Sequence, residues 1–254
     1  MNTVSIYTLA SGSSGNCTWA RFGSFEILID AGISRREIGR KLSLLGSDLS
    51  RISAIFVTHE HSDHIKGIPM LAKYDKIPIY GARLSLHAIK GVDDSLLHFM
   101  HHPDTVTLGD LTVSSFVTPH DALASCGYVM AYRGERYGYA TDLGRPTDHL
   151  VDALAGCKAV ILEANYDSAM LKYGSYPYPL KQRIRGPLGH LDNEVAAKFA
   201  AFLGKSGTER ILLAHLSEEN NTPEKAFCAV SEVLQKEELS LSLAVAARHE
   251  ISKL

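Results

Sequence analysis

Short apolar runs closed by turn residues alternate with helix-like segments from one end of the chain to the other. The pattern predicts strands near 4–9 (VSIYTL), 25–29 (FEILI), 53–57 (SAIFV), 111–117 (LTVSSFV), 126–132, 136–141 and 158–163 (KAVILE), with later ones near 209–214 (ERILLA) and 241–246. Enrichment in Val, Ile, Phe and Tyr carries these assignments more than strict alternation does. Helices are predicted at 34–45, 67–74, 82–90, 147–154, 192–203 and 222–235. In the fifth, Val195, Phe199, Phe202 and Leu203 recur at helical spacing behind Asp192 and Asn193, either of which can cap it. Strands with interspersed helices, without strict βαβ alternation, point to an α/β (α+β) arrangement of two sheets covered by helices. No linker, repeat or low-complexity tract interrupts the pattern, so one domain over 1–254 is the economical reading. The segment from Lys172 to Gly189 yields no regular element, and a long irregular stretch in a compact fold is usually functional or mobile.

Composition narrows the class. Of 254 residues, 45% are hydrophobic and 21% charged, an ordinary globular mixture that excludes disorder and collagen-like structure. No stretch approaches the roughly 20 apolar residues of a membrane-spanning helix. The start, MNTVSIYTLASGSSG, lacks the basic and apolar regions of a secretory signal. Cys17, Cys126, Cys157 and Cys228 form no CxxC pair, which fits reduced, mostly buried thiols in a cytoplasmic protein. A net charge of −2 gives no global basic field. The unusual number is twelve His.

The strongest signal is Thr58-His59-Glu60-His61-Ser62-Asp63-His64, an HxHxDH pattern directly after the apolar run AIFV. His59 and His61 leave a strand end in extended chain and point the same way, as alternation requires. The chain then turns at Asp63-His64 into a helix, which aims the second pair at a different point and suits two adjacent metals. His120, Asp142 and His215 also follow strand-like runs (SSFVTP, GYAT, ILLA). In open α/β sheets ligands gather outside the carboxyl ends of strands, so these ends are expected to converge. The predicted ligands are His59, His61, Asp63, His64, His120, Asp142 and His215 for two divalent ions, with Asp142 bridging. Imidazole with carboxylate suits Zn or Mn, and Fe is compatible.

At these residues the chain resembles the metallo-β-lactamase superfamily over essentially its whole length. The resemblance implies a four-layer αββα sandwich with a binuclear site at the edge of two packed sheets, and it places Asp30 of ILIDAG behind the HxHxDH loop as a support. Asp63-His64 argues against the secreted β-lactamases, which commonly carry Arg after the Asp. Glu163-Ala164-Asn165-Tyr166, Gly189-His190 and Leu213-Ala214-His215-Leu216-Ser217 resemble the ribonuclease Z branch, where a His in the His190 position protonates the leaving oxygen. LASGSSGNC at 9–17, IDAGISRREIGRKL at 29–42 and RGPLGHLDN at 185–193 are similar to the YycJ (VicX, WalJ) group of bacterial metallo-hydrolases, which implies a DNA-directed exonuclease. The chain departs from ribonuclease Z in lacking an arm for tRNA, and from the β-CASP nucleases in lacking an inserted domain.

The chemistry expected is that of a metal-dependent phosphodiesterase using a metal-bridging hydroxide, with Asp63 orienting or deprotonating the water. His190 completes neither ligand set, which makes it the candidate general acid, its tautomer fixed by Glu163 or another carboxylate. Between Glu163 and His190, tyrosines interleave with Lys181, Arg183 and Arg185, a candidate platform for stacked bases and phosphates, and DNA is the favoured partner. No membrane partner is indicated, and protein partners stay open. A thioester or lactone hydrolase of the glyoxalase II or lactonase type is the alternative, since it shares HxHxDH but needs no Glu163–His190 pair. SGSSGN lacks the Gly-Lys-Ser/Thr ending of a P-loop; its backbone N–H groups offer either a phosphate contact or a tight turn. Arg35, Arg36, Arg40 and Lys41 are expected on the wet face of a helix.

Overall fold

The computed structural model describes residues 4–254. One mixed sheet has seven strands in the order β14-β1-β2-β3-β4-β5-β6. These are β1 (Val4–Ala10), β2 (Cys17–Phe22), β3 (Phe25–Ile29), β4 (Ile52–Phe56), β5 (Ile79–Ala82), β6 (Leu97–Met100) and the short β14 (Ser252–Lys253). The other sheet runs β13-β12-β11-β10-β9-β8-β7. Its strands are β7 (Thr105–Leu108), β8 (Leu111–Val117), β9 (Cys126–Tyr132), β10 (Glu135–Ala140), β11 (Ala159–Glu163), β12 (Arg210–Ala214) and β13 (Ser242–Val245). The helices are α1 (Arg35–Leu44), α2 (Ser62–Ile65), α3 (Ile68–Asp75), α4 (Arg83–His87), α5 (Asp148–Leu154), α6 (Ser168–Tyr173), α7 (Tyr178–Arg185), α8 (Asn193–Lys205) and α9 (Pro223–Lys236).

Three apolar clusters separate four layers. Between the sheets lie Phe22, Ile27, Phe56, Tyr128, Tyr139 and Ile161, among others. On the outer face of the first sheet, Trp19, Leu28 and Ile55 meet Ile38 and Leu42 of α1 and Leu71 of α3. On the outer face of the second, Val160, Leu162 and Leu213 meet Leu150 of α5, Phe199 of α8 and Val230 of α9. A sheet buried on both faces reads as a continuous apolar run, which is why strict alternation says little about these strands. The αββα sandwich is the result.

The inner strands position the site. β3, β4, β5 and β6 are mutually parallel, as are β10, β11, β12 and β13. Their carboxyl ends therefore lie on one edge of each sheet. Three non-glycine residues there, Asp30 (φ 59°), Asp142 (φ 59°) and His215 (φ 57°), occupy the left-handed region directly after β3, after β10 and after β12. That conformation is uncommon outside glycine and clusters where function demands it. Gly32 has no alternative residue: a Cβ there would stand 1.6 Å from the carbonyl oxygen of Asp63.

Some expectations need correction. Residues 172–189 are not irregular throughout: α6 and α7 occupy much of the segment. α6 is capped by Asp167, whose side chain accepts from Met170 N, while α7 buries no residue and so shows no apolar period to read. Strands β2, β5, β6, β7 and β14 lie outside the predicted set, most being short or partly polar. Lys41 is not on a wet face: it is buried, and Nζ donates to Leu9 O at 2.6 Å and His249 O at 2.7 Å, joining α1 to the start and end of the chain. Cys228 is exposed, whereas the other three thiols are buried. No helix among the described residues is long and apolar enough to cross a membrane.

Candidate metal centre

The segment following β4 lays His59 and His61 over the sheet edge, and α2 then carries Asp63 and His64. His120 follows β8, Asp142 follows β10, and His215 follows β12. Six of the seven meet in two adjoining groups, His59/His61/His120 and Asp63/His64/His215, each with its donor atoms within 4.8 Å of one another. Asp142, the seventh, lies between them: Oδ2 is 3.3 Å from His64 Nε2 and Oδ1 is 3.7 Å from His120 Nε2. It also shares a third group with His59 and His64.

The hydrogen bonds behind the rings decide which nitrogens face inward. His64 Nδ1 donates to Asp30 Oδ2 at 2.7 Å, His215 Nδ1 to Glu163 Oε1 at 2.9 Å, and His120 Nδ1 to Gly189 O at 3.1 Å. Each ring thus keeps its proton on Nδ1 and presents the Nε2 lone pair to the centre. His61 instead turns Nδ1 inward, 3.4 Å from His120 Nε2. Asp30 also accepts from Thr58 N at 2.8 Å, so one buried carboxylate braces the start of the HxHxDH loop and its last histidine together.

A cation fits this arrangement on two grounds. His59 Nε2, Asp142 Oδ2 and His215 Nε2 are buried without a hydrogen-bond partner, and all three belong to the cluster. Such atoms are costly unless something occupies them. The electrostatics agree. Burial disfavours the carboxylates of Asp63 and Asp142, yet surrounding histidines hold both well below the usual range. Burial likewise opposes charge on His215, but Asp142, Asp63 and Glu163 outweigh it and hold the ring up at about 10. The carboxylates demand positive charge at this point. Burial pushes His59 and His120 down, so those rings are neutral and able to ligate.

Glu163 lies within the same reach but its lone pairs are consumed. Oε1 accepts from Asp142 N, His190 Nδ1 and His215 Nδ1, and Oε2 from Leu143 N and Leu191 N. Burial raises its pKa, but the two histidines outweigh that and hold it at about 2. A cavity of about 280 Å³ opens over the cluster, with His190, Tyr176, Arg183, Ser13 and Ser217 on its walls.

With that geometry established, comparison with known proteins is decisive. A family model described as a β-lactamase superfamily domain matches residues 26–216. The chain belongs to the metallo-β-lactamase superfamily. It is 35% identical over 232 residues to exodeoxyribonuclease YycJ of Bacillus anthracis, covering 90% of this chain and 88% of that protein. It is 34% identical over 241 residues to exodeoxyribonuclease WalJ of Streptococcus pneumoniae, covering 92% and 90%. Among solved structures, YhfI from Bacillus subtilis matches with a TM-score of 0.76 at 15% identity, covering 98% of this chain and 99% of that one. Zn(2+)-bound PqqB from Methylobacterium extorquens matches at 0.72 and 16%, covering 98% and 100%. These structural likenesses show the shared fold. This member of the superfamily is a metal-dependent hydrolase.

The basic residues expected to bind substrate divide. Arg183 lines the cavity, its Nε paired with Asp121 Oδ2. Lys181 Nζ donates to Lys172 O and Gly174 O, closing the end of α6. Arg185 is exposed on α7. Two supports have no readable spacing. Asn16 Nδ2 donates to Asp63 Oδ2 at 3.1 Å, and Asn16 N to Asp63 O at 2.7 Å. Glu60, between His59 and His61, faces away and accepts from Leu123 N at 2.7 Å and Ser85 Oγ at 2.8 Å, fixing the loop that follows His120. Asn16 falls in SGSSGN, the one signal that marked it.

Proposed function

We propose that this chain is a binuclear metal-dependent phosphodiesterase, an exodeoxyribonuclease acting on DNA in the cytoplasm, with residues 1–254 forming one domain. The observation that carries the reading is the Glu163–His190 pair at the cavity wall, 2.9 Å apart, which ester hydrolysis does not require. The names of the two relatives support DNA as substrate.

In this reading His59, His61 and His120 would hold one ion and Asp63, His64 and His215 the other, with Asp142 available to both. Zn or Mn suits the donor set, and Fe is compatible. Two divalent ions supply Lewis acidity and a water whose pKa is lowered toward about 7. Asp63, its Oδ2 held by Asn16, keeps Oδ1 as the carboxylate atom that would orient a water at the centre or accept its proton. His190 is anchored through Nδ1, so Nε2 is the ring atom left to protonate the leaving oxygen. Arg183 and Tyr176 line the cavity that a strand would enter.

The test is cleavage of end-labelled single- and double-stranded DNA and RNA with Mn or Zn added, run beside His190→Ala. Metal-dependent products on DNA that vanish in the variant support the proposal, and a ladder shortening from one end gives the polarity. Intact nucleic acids alongside turnover of a thioester or lactone reporter overturn it in favour of small-molecule hydrolysis.

A further inference from the structure

The Gly12–Gly15 turn ends beside the His/Asp cluster and has no part in the chemistry so far assigned. Gly12 N donates to Asn16 Oδ1 at 2.8 Å, and Asn16 Nδ2 to Asp63 Oδ2, so two hydrogen bonds tie the turn to a proposed ligand. Within the turn, Gly15 N donates to Gly12 O at 3.0 Å. The N–H groups of Ser13 and Ser14 have no protein acceptor among the described residues, and both side chains are exposed. Consecutive free N–H groups between glycines form a concavity suited to an anion.

Three further observations point the same way. Ser13 and Ser217 line the cavity together. The Ser217 hydroxyl accepts from Asn220 N at 3.2 Å, which leaves its own proton to donate. Behind the turn, Arg248 Nε lies 3.8 Å from where a Cβ on Gly12 would stand, and its guanidinium is otherwise paired with exposed Glu218 at 3.2 Å. Arg183 lines the same cavity. One guanidinium, Arg183, thus stands on the cavity wall above the His/Asp cluster, and a second, Arg248, stands beside the turn rather than on that wall.

We infer that the Gly12–Gly15 turn, the Ser13 and Ser217 hydroxyls and Arg248 form a subsite for a second phosphate of the same nucleic acid strand, adjacent to the scissile one. The inference rests on the phosphodiesterase reading and adds residues that hold the strand. The phosphate is either an internal phosphodiester or a terminal phosphomonoester; both offer the same oxygens to the turn. Exchange of Glu218 for phosphate on Arg248 is a swap of one charge-assisted pairing for another, and the backbone N–H groups are already placed.

The experiment uses the full chain with its metals, made non-cleaving by His190→Ala, and reads binding of a labelled ten-nucleotide single strand by fluorescence polarisation. Ser13→Asp and Arg248→Gln are added singly to that parent. Ser13 is exposed, so its variant keeps the fold even where Arg248→Gln does not. The expected result is Kd weaker by about tenfold, with the slope of log K against log salt reduced by roughly 0.7 in Arg248→Gln, which neutralises one phosphate fewer. Kd and slope unchanged in both variants overturn the subsite. Strands ending in hydroxyl, 5′-phosphate or 3′-phosphate separate the two sources: weakening confined to one phosphorylated end places a terminal phosphate at the turn, and equal weakening on all three places an internal one. If the parent binds with this dependence but wild-type protein cleaves no phosphodiester, the nuclease reading falls and with it the scissile neighbour, while a phosphate-binding role for the turn stands.

Discussion

Glu163 Oε1 stands 2.9 Å from Nδ1 of His190, and the same oxygen stands 2.9 Å from Nδ1 of His215. One buried carboxylate atom thereby orients both a proposed metal ligand and the proposed proton donor. The two roles separate on mutation. His190→Ala removes a ring that belongs to neither ligand triad, so metal content by elemental analysis should stay at the wild-type level. Turnover of a DNA substrate should fall by about 10²–10⁴, the range for loss of general acid catalysis. Equal turnover in the variant removes His190 from the mechanism.

Glu163→Gln tests the other end of the pair. The carboxylate accepts from two imidazoles and three backbone amides. An amide side chain must turn its NH2 toward one set of those donors, leaving buried groups unpaired at about 1–3 kcal/mol. For a chain of this size that predicts a melting temperature lower by roughly 2–12 °C. Metal affinity should weaken about 10–100-fold through His215, as for other residues that brace a ligand. A variant that melts with wild type and binds metal equally well contradicts the assignment.

Asn16 is the support of Asp63 on the opposite side. Its side chain joins Gly12 N, Gly12 O and Asp63 Oδ2. Asn16→Ala frees the carboxylate and orphans a buried N–H, with an expected loss of about 10–100-fold in affinity for the ion beside Asp63. Titration against a competing chelator measures this directly. The His59/His61/His120 side makes no hydrogen bond to Asn16 and should keep its ion, so two equal losses would point to general unfolding instead.

The convergence of the seven proposed ligands was legible because they sit where strand ends meet HxHxDH, and a strand-end rule needs only local sequence. The sandwich was legible for the same reason, from apolar runs that two buried sheets require. Asn16 was not, because its partner Asp63 lies 47 residues away and only the β1–β2 connection brings them together. Glu60 was hidden by its company: flanked by two proposed ligands, it faces the other way and pins a loop. Lys41 read as solvated because charge suggests water, yet two carbonyls satisfy it in the interior. The left-handed conformations at Asp30, Asp142 and His215 leave no mark in a sequence, since nothing about Asp or His announces a positive φ.

Asp142 offers the sharpest test of a shared site. It faces His59, His64, His120 and His215, and its Oδ2 is buried without a hydrogen-bond partner. Asp142→Ala removes the one carboxylate that lies against both triads, so both ions should be bound more weakly, and occupancy after dialysis should drop for the pair together. Chelation of the wild type should mimic this. It takes away a ligand that binds the folded state only, so the melting temperature should fall as free metal is removed, by an amount that grows with affinity. In the Asp142→Ala chain the same chelator should shift melting far less, since little bound metal remains to be removed. Full occupancy in Asp142→Ala, or a chelator shift as large as in wild type, would falsify the bridging role.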